Sequence, residues 1–288
     1  MSQQNPAFVT SQWLEANLGK PGLSIVDGAW YLPSQGRNAA GEYETGHIPG
    51  AVFFDHDKMV EPGSTLPHQL PSPANFARFA GAMGISEQDT IVVYDGFGVW
   101  SAVRARWVFR AMGAQKVFIL EGGLDGWKRE GRPLTAEITK IAPTVFNADF
   151  DAERVASLED MREIVDSGSM QIADARPAGR FEGFDPEPRP GLRGGHMPGA
   201  RNIPFASFSK DGKIVSNDEL KQQLEAAGLD LSKPVVTSCG SGVSAAIISL
   251  ALETLGHKDN KLYDGSWAEW GGLPDTPVVT GPAHEISR

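Results

Sequence analysis

The single cysteine of the chain, Cys239, stands where a strand and a helix are expected to meet. The β-branched run PVVTS precedes it, the loop GSGVS follows it, and a long apolar helical stretch comes next. A glycine-rich turn at a helix N-terminus directs backbone N–H groups at one small site, and such a nest favours an anion or a thiolate. We therefore interpret Cys239 as a nucleophile. The alternative is a thiol that serves only as a small core residue.

Arginines accumulate upstream of this loop, although the protein as a whole is acidic. Five of them lie within or beside the segment GRFEGFDPEPRPGLRG: Arg176, Arg180, Arg189, Arg193 and Arg201. Because a guanidinium can bind a carboxylate through two parallel N–H groups, the cluster indicates an anionic substrate. The alternative is a solvated loop that carries surface ion pairs.

A further candidate is His68, which follows Asp57 in the segment FFDHDKMVEPGSTLPHQLP. On spacing alone a single histidine is weak evidence for a catalytic role. The six histidines of the chain show no ligand spacing, and no second thiol joins them. We therefore predict no metal site, and we predict no cofactor.

The sequence contains an internal repeat. GHIPGA at Gly46–Ala51 returns as GHMPGA at Gly195–Ala200, and TIVVYDGFGVWSA at Thr90–Ala102 aligns with PVVTSCGSGVSAA at Pro234–Ala246. The order of these motifs is the same in both halves. This predicts a duplicated domain of roughly 130 residues.

The two halves differ where chemistry is expected. Cys239 aligns with Asp95, and Arg180 aligns with Glu42. An aspartate in the loop would repel an anion, so the first half is predicted to be catalytically inactive. The histidines of the repeated GHIPGA and GHMPGA turns occur in both halves, so we interpret them as structural.

The coarse pattern predicts the fold class. Apolar strands such as LSIVD, TIVVYD, MQIAD and PVVTSC alternate with helical stretches, for which Ser72 and Asn217 are the expected N-caps. This order predicts an α/β fold of two tandem domains, each a mostly parallel sheet with helices on both faces. The predicted domains span residues 1–138 and 150–288, with a linker at residues 139–149.

Composition excludes several classes of function. The formal net charge is −10, which disfavours nucleic acid and anionic membranes as partners. One cysteine cannot form an internal disulfide, and no apolar run reaches the length of a membrane span. The polar N-terminus MSQQNPAFVT does not look like a signal peptide, so we expect a cytoplasmic protein.

The loop CGSGVS and the GHIPGA and GHMPGA turns resemble the two-domain rhodanese superfamily over nearly the whole chain. Members that prefer thiosulfate carry basic residues in this loop, as in Cys-Arg-Lys-Gly-Val-Thr. Members that use 3-mercaptopyruvate have Cys-Gly-Ser-Gly-Val-Thr, which Gly240 and Ser241 match. The chain departs from the pattern at Ser244, where threonine is usual, and in having no second cysteine for a redox switch.

This resemblance implies two rhodanese-like domains, of which only the second is active, and a sulfurtransferase reaction. Cys239 would take sulfur from 3-mercaptopyruvate as a persulfide, release pyruvate, and pass the sulfur to a thiol such as thioredoxin or to cyanide. Ser241, His68 and Asp57 would correspond to a serine–histidine–aspartate set that is proposed to move protons in the family. The residues implied to hold the substrate are Arg180, Arg189, Gly240, Gly242, Val243 and Ser244.

Three alternatives stay open from the sequence. A thiosulfate sulfurtransferase would use the same mechanism with another donor, and the neutral Gly240 and Ser241 disfavour it. A cysteine phosphatase would need an arginine six positions after the cysteine, where this chain has Ala245. A rhodanese-like module without catalytic activity could bind partners or sense oxidants, and the retained thiol and arginines argue against that function.

Overall fold

Five strands of the first half pair into one sheet in the computed structural model, which describes residues 5–283. They are β1 (Phe8–Val9), β2 (Leu23–Asp27), β3 (Ala51–Phe53), β4 (Thr90–Tyr94) and β5 (Val117–Leu120). Their order across the sheet is β1-β5-β4-β2-β3, and each neighbouring pair is parallel.

The second half forms a sheet of the same design. Its strands are β6 (Val155–Ala156), β7 (Gln171–Asp174), β8 (Ala200–Asn202), β11 (Val235–Ser238) and β12 (Asn260–Tyr263). Their order is β6-β12-β11-β7-β8, again parallel throughout, so each strand has a counterpart at the same place in the first sheet. Two short strands, β9 (Ser209–Lys210) and β10 (Lys213–Ile214), form a separate antiparallel hairpin.

Helices connect the parallel strands and flank the sheets, as parallel pairing requires. The first half contains α1 (Ser11–Asn17), α2 (Ala39–Thr45), α3 (Pro73–Ala82), α4 (Ser101–Ala111) and α5 (Gly123–Arg129). The second half contains α6 (Leu158–Ser167), α7 (Ala178–Glu182), α8 (Asn217–Ala226), α9 (Ala245–Thr254) and α10 (Ser266–Trp270). The predicted α/β class with a parallel sheet in each half is confirmed.

The helix caps follow the sequence with one correction. Ser72 is the N-cap of α3, as predicted, although its side chain makes no capping hydrogen bond. The predicted N-cap Asn217 is instead the first residue of α8. Ser216 is the N-cap, because its hydroxyl accepts from the Glu219 N–H while the Glu219 carboxylate accepts from the Ser216 N–H.

The repeated turns are built alike in both halves. His47 Nδ1 hydrogen-bonds the Tyr43 carbonyl and His196 Nδ1 hydrogen-bonds the Phe181 carbonyl, and each imidazole stacks on that aromatic ring. Both histidines are fully or almost fully buried. They therefore stabilise the fold, as the repeat predicts.

The chain forms two compact units that do not quite coincide with the halves of the sequence. The first unit includes Leu70–Asp151 and also the hairpin Ser209–Ile214, whereas the second includes Ser64–Gln69 from the first half. The segment predicted as a linker, residues 139–149, is counted with the first unit, where the Thr144 N–H donates to the Gly81 carbonyl.

Within residues 5–283, no helix combines the length and apolarity that a membrane span needs. In the same range, no group of three or more histidine, cysteine or acidic side chains is arranged to hold a metal ion.

Candidate active site

Cys239 directly follows β11 in the second unit and is 1% exposed. Its carbonyl accepts from the Trp267 N–H at 2.9 Å, and the Gly240 carbonyl accepts from the Ala268 N–H at 2.9 Å. Its own N–H donates to Ser266 Oγ at 3.3 Å. Because α10 supplies all three partners, this short helix fixes the backbone on which the sulfur stands.

Ser266 is a supporting residue that sequence reasoning missed. Its φ is 51°, in the left-handed region that non-glycine residues seldom adopt, and its hydroxyl donates to the Tyr263 carbonyl at 2.8 Å. The aligned residue of the first half is Gly123, which has a φ of 58°. A serine at a position where the other half needs glycine is the signal that could have found it.

His68 lies beside the loop that follows Cys239. A hydrogen bond of 3.0 Å joins His68 Nδ1 to Ser241 Oγ, and both residues belong to the second unit. His68 is 4% exposed and has a φ of 58°. An unfavourable backbone conformation of this kind persists only where the surroundings enforce it, and such positions concentrate at functional sites. Two of the predicted catalytic residues are therefore in direct contact.

Asp57, the third member of the predicted set, belongs to the first unit. There Trp30 Nε1 donates to Asp57 Oδ1 at 3.2 Å, and the Asp57 N–H donates to Asp55 Oδ1 at 3.1 Å. Asp57 lines a cavity of about 270 Å³ together with Trp30, Tyr31 and Arg37. Its part in catalysis stays a prediction.

Arg180 lies against the loop from the side of α7. A Cβ added to Gly240 would stand 3.1 Å from Arg180 Nη2, so the glycine allows the guanidinium to approach the backbone beside Cys239. The Arg180 side chain is 19% exposed, and its Nε donates to Glu187 Oε2 at 3.2 Å. Nη1 donates to no acceptor among residues 5–283, so part of this cation is available to a ligand.

The other arginines of the sequence cluster separate into different roles. Arg176 is 1% exposed and binds Asp174 and Glu187 while its guanidinium lies over the Trp267 ring. Arg193 donates to backbone carbonyls of the segment that follows α10, including Gly271 at 3.1 Å. These two arginines stabilise the unit, and the interpretation of the whole cluster as a substrate site is wrong for them.

Arg189 is half-buried in the segment between α7 and β8. Arg201 is also half-buried, and its guanidinium packs against Gly228. A substrate contact by Arg189 stays a prediction.

The remaining loop residues shape a small concave site. Gly242 has a φ of 78°, a conformation that disfavours any side chain, and Val243 is 3% exposed. Ser244 is the N-cap residue of α9, but its backbone is already helical and its side chain makes no capping hydrogen bond. Within residues 5–283 the N–H groups of Val243 and Ser244 have no hydrogen-bond acceptor. Unpaired N–H groups at a helix N-terminus are suited to an anion.

The corresponding loop of the first unit has its own internal anion. The Asp95 carboxylate accepts from the N–H groups of Gly98, Trp100 and Ala102, the last at 2.8 Å. Asp95 is 1% exposed, and burial raises its pKa although these N–H donors oppose the shift. The backbone is held as in the second unit, since the Asp95 carbonyl accepts from the Leu124 N–H at 2.8 Å. The first unit thus keeps the loop with its inward-directed N–H groups, but the Asp95 carboxylate already accepts hydrogen bonds from them.

Comparison with known proteins agrees with this architecture. The model of the rhodanese-like domain matches the chain twice, at residues 10–130 and 157–273. The chain is 43% identical over 272 residues to 3-mercaptopyruvate sulfurtransferase of Escherichia coli strain K12, which covers 94% of this chain and 97% of that protein. It is 38% identical over 292 residues to thiosulfate/3-mercaptopyruvate sulfurtransferase 1, mitochondrial, of Arabidopsis thaliana, with coverage of 94% and 77%.

A solved structure is also similar. SseA from Escherichia coli, described in connection with the rhodanese fold and the mechanism of 3-mercaptopyruvate sulfotransferases, superposes with a TM-score of 0.84 at 41% identity. The superposition covers 91% of this chain and 99% of that one.

Proposed function

The chain belongs to the family of proteins built from rhodanese-like domains, and on this premise we propose that it transfers sulfur from 3-mercaptopyruvate to a thiol or to cyanide. It is a sulfurtransferase whose covalent intermediate is a persulfide on Cys239. Pyruvate is the product released from the donor. The observation that carries this proposal is the contrast between the two loops: only the second combines a thiol, unpaired N–H groups and a guanidinium.

The first half-reaction forms one bond and breaks another. The Cys239 thiolate attacks the sulfur of 3-mercaptopyruvate, which forms an S–S bond, and the C–S bond breaks with its electron pair moving to the carbon that becomes the pyruvate enolate. The proton from the donor thiol ends on that carbon, giving pyruvate and the Cys239 persulfide anion. A thiolate suits this step because sulfur is a polarizable nucleophile.

Positive charge assists where negative charge develops. The exposed part of the Arg180 guanidinium, together with Arg189, is proposed to bind the donor carboxylate and the oxygen of the forming enolate. The N–H groups of the loop Gly240–Ser244 stabilise the persulfide anion in the same way. Arg180 is supported in this role by its position against Gly240.

Proton movement is assigned to Ser241, His68 and Asp57. The hydrogen bond between His68 Nδ1 and Ser241 Oγ supports a path from the loop to an imidazole. Histidine is suited to this work because its ordinary pKa lies near neutrality. Asp57 would orient the other two residues or stabilise positive charge that develops on them.

The second half-reaction returns the enzyme to its resting state. An acceptor thiolate, as in a thioredoxin-like protein, attacks the outer sulfur of the persulfide, and the S–S bond breaks with its electrons returning to Cys239. Cyanide would react in the same way to give thiocyanate. Two half-reactions through one covalent intermediate predict ping-pong kinetics.

Thiosulfate is the second candidate donor, because the Arabidopsis thaliana relative is named for both donors. A panel of donors on the purified protein tests the choice. We expect kcat/KM for 3-mercaptopyruvate to exceed that for thiosulfate. The reverse ranking would make the protein a thiosulfate sulfurtransferase, and no turnover of either would favour a binding module.

We also propose a cytoplasmic location, on the sequence pattern alone. Fractionation of source cells with an antibody to the protein tests it. Recovery in a membrane-bounded compartment would contradict the proposal.

A further inference from the structure

Glu187 is a buried carboxylate to which the proposed chemistry gives no role. It lies in the segment between α7 and β8, and its side chain is 2% exposed. One oxygen accepts from Arg176 Nη1 at 2.9 Å, and the other accepts from Nε and Nη2 of Arg180. A single carboxylate therefore bridges two guanidinium groups.

This bridge is anchored in the core of the second unit. Arg176 is held by the Asp174 carboxylate at the end of β7, by the Gly195 carbonyl and by the Trp267 ring. Arg176 in turn fixes Glu187. The position of Arg180 beside Gly240 is thus determined through a chain of buried contacts, although Arg180 itself lies in a short helix.

The bridge decides which N–H groups Arg180 presents. Glu187 occupies the edge of the guanidinium formed by Nε and Nη2. Nη1 has no acceptor within the described part of the chain, so this end of the guanidinium is left for a ligand. A carboxylate at that end would be bound by fewer N–H groups than a fully free arginine offers.

The bridge also sets the charge of the site. Asp174 and Glu187 together balance Arg176 and Arg180, so these four buried or partly buried groups sum to zero. Without Glu187 the sum would be +1. Coulomb attraction scales with ligand charge, so an added positive charge favours a dianion twice as strongly as a monoanion.

We propose that Glu187 is the residue that sets donor specificity, by neutralising Arg180 so that the site takes a monoanionic α-keto acid thiol in preference to a dianionic sulfur donor. This inference rests on the proposed function, since it concerns the donor site of the same reaction. The preference would then come from a carboxylate outside the loop as well as from the neutral residues Gly240 and Ser241.

The test measures donor preference in the variant Glu187→Gln. We expect the ratio of kcat/KM for thiosulfate to kcat/KM for 3-mercaptopyruvate to rise about tenfold over the unmodified protein. Both values come from one preparation, so a reduced folded fraction cancels in the ratio. High salt should diminish the rise, because screening weakens a charge effect and leaves a purely structural effect in place.

Two further variants separate charge from geometry. Glu187→Asp keeps the negative charge but shortens the side chain, so the carboxylate no longer holds Arg180 in the same position. KM for 3-mercaptopyruvate should therefore increase. The donor ratio should stay unchanged, because the net charge of the site is the same. Glu42→Gln removes a carboxylate from the matching ion pair with Arg37 in the first unit, so it changes the net charge equally. It should leave the ratio unchanged.

An unaltered ratio in Glu187→Gln, or an equal rise in Glu187→Asp or Glu42→Gln, overturns the inference and leaves the proposed function intact. Preference of the unmodified protein for thiosulfate overturns the proposed function itself. If Glu187→Gln does not fold, the salt dependence of the unmodified protein decides. Neutralisation of Arg180 predicts that KM for thiosulfate rises no more steeply with salt than KM for 3-mercaptopyruvate, and a steeper rise for thiosulfate contradicts the inference.

Discussion

The loop after β11 and the loop after β4 have the same backbone support and opposite contents. In each, two carbonyls at the loop start accept N–H groups from the following short helix, α10 or α5. In the first unit Asp95 fills the nest with its own carboxylate. In the second unit Cys239 occupies that position. The comparison shows that the same backbone scaffold holds an internal carboxylate in one unit and a thiol in the other.

The ion pairs beside the two loops differ in the same instructive way. Glu42 of α2 binds Arg37, whereas Arg180 at the aligned position of α7 binds Glu187. In both units a guanidinium lies near the first glycine of the loop. In the first unit it belongs to Arg37, which precedes α2, and in the second unit it belongs to Arg180, which lies within α7. The first unit thus keeps a similar arrangement of charges around a loop whose nest is already filled.

The largest expected effect is at the residue that distinguishes the loops. Cys239→Ser should reduce sulfur transfer by about a thousandfold or more, since an alcohol is a poor nucleophile toward sulfur. Pyruvate release from 3-mercaptopyruvate measures it. Retention of more than a small part of the activity would remove Cys239 from the mechanism.

Replacement of His68 tests whether the segment Ser64–Gln69 serves the second unit in catalysis. His68→Gln keeps a polar side chain near Ser241 but removes the titratable group. We expect kcat to decrease by about a hundredfold, the usual contribution of a positioned acid or base. A normal kcat would make His68 structural.

The strand-end aspartates provide a comparison of stability. Asp174 pairs with Arg176, whereas Asp27 has no cationic partner in the described part of the chain, and burial raises the pKa of Asp27 to about 7. The Asp27 carboxyl of the unfolded chain has a pKa near 4. Between about pH 4 and pH 7, the folded state therefore keeps a proton on this carboxyl that the unfolded state has lost. The stabilisation from proton uptake is complete below pH 4 and is lost as the pH rises through 7.

The corresponding change in the free energy of unfolding is up to about 4 kcal/mol. Denaturant unfolding of the unmodified protein and of Asp27→Asn across this pH range measures it. The variant should show a flatter profile between pH 4 and pH 8. Identical slopes would mean that Asp27 titrates alike in both states.

A smaller effect is expected where the first loop fills itself. Asp95→Asn removes one of two oxygens that accept backbone N–H groups, so the free energy of unfolding should decrease by about 1–3 kcal/mol. The catalytic parameters per folded molecule should stay unchanged. Asp125→Asn, at an exposed position of α5, serves as the control. A change in donor specificity in Asp95→Asn would contradict an inactive first unit.

The smallest effect is expected at Arg189. Arg189→Lys should raise KM for 3-mercaptopyruvate about tenfold with kcat nearly unchanged, because an ammonium cannot reproduce the planar fork of a guanidinium. Steady-state kinetics at saturating acceptor measures it. An unchanged KM would exclude Arg189 from the donor site.

Much of the fold and part of the site could be predicted from the sequence. The apolar runs identified the central strands, and the repeat revealed that Cys239 and Asp95 share one position. These features are local, so residue order is enough to find them. The contact of His68 with Ser241 joins distant positions, and spacing gave it little weight before the structure brought the two together.

Other features could not be read from residue order. The five arginines looked alike in sequence, but all three guanidinium nitrogens of Arg176 and of Arg193 donate hydrogen bonds, whereas Arg180 Nη1 donates none within residues 5–283. Glu187 was indistinguishable from a surface acid until its contacts with two guanidinium groups were seen. The N-cap of α8 is Ser216 and not the predicted Asn217, because the capping box pairs Ser216 with Glu219.

The most direct test of the central claim is the intact mass of the protein after incubation with 3-mercaptopyruvate in the absence of an acceptor. The account predicts that the protein gains one sulfur atom, loses it again on addition of a thiol or cyanide, and gains none as Cys239→Ser. Because Cys239 is the only cysteine, the position of the added sulfur is unambiguous. Pyruvate release without any gain of sulfur, or no reaction at all, would contradict the account.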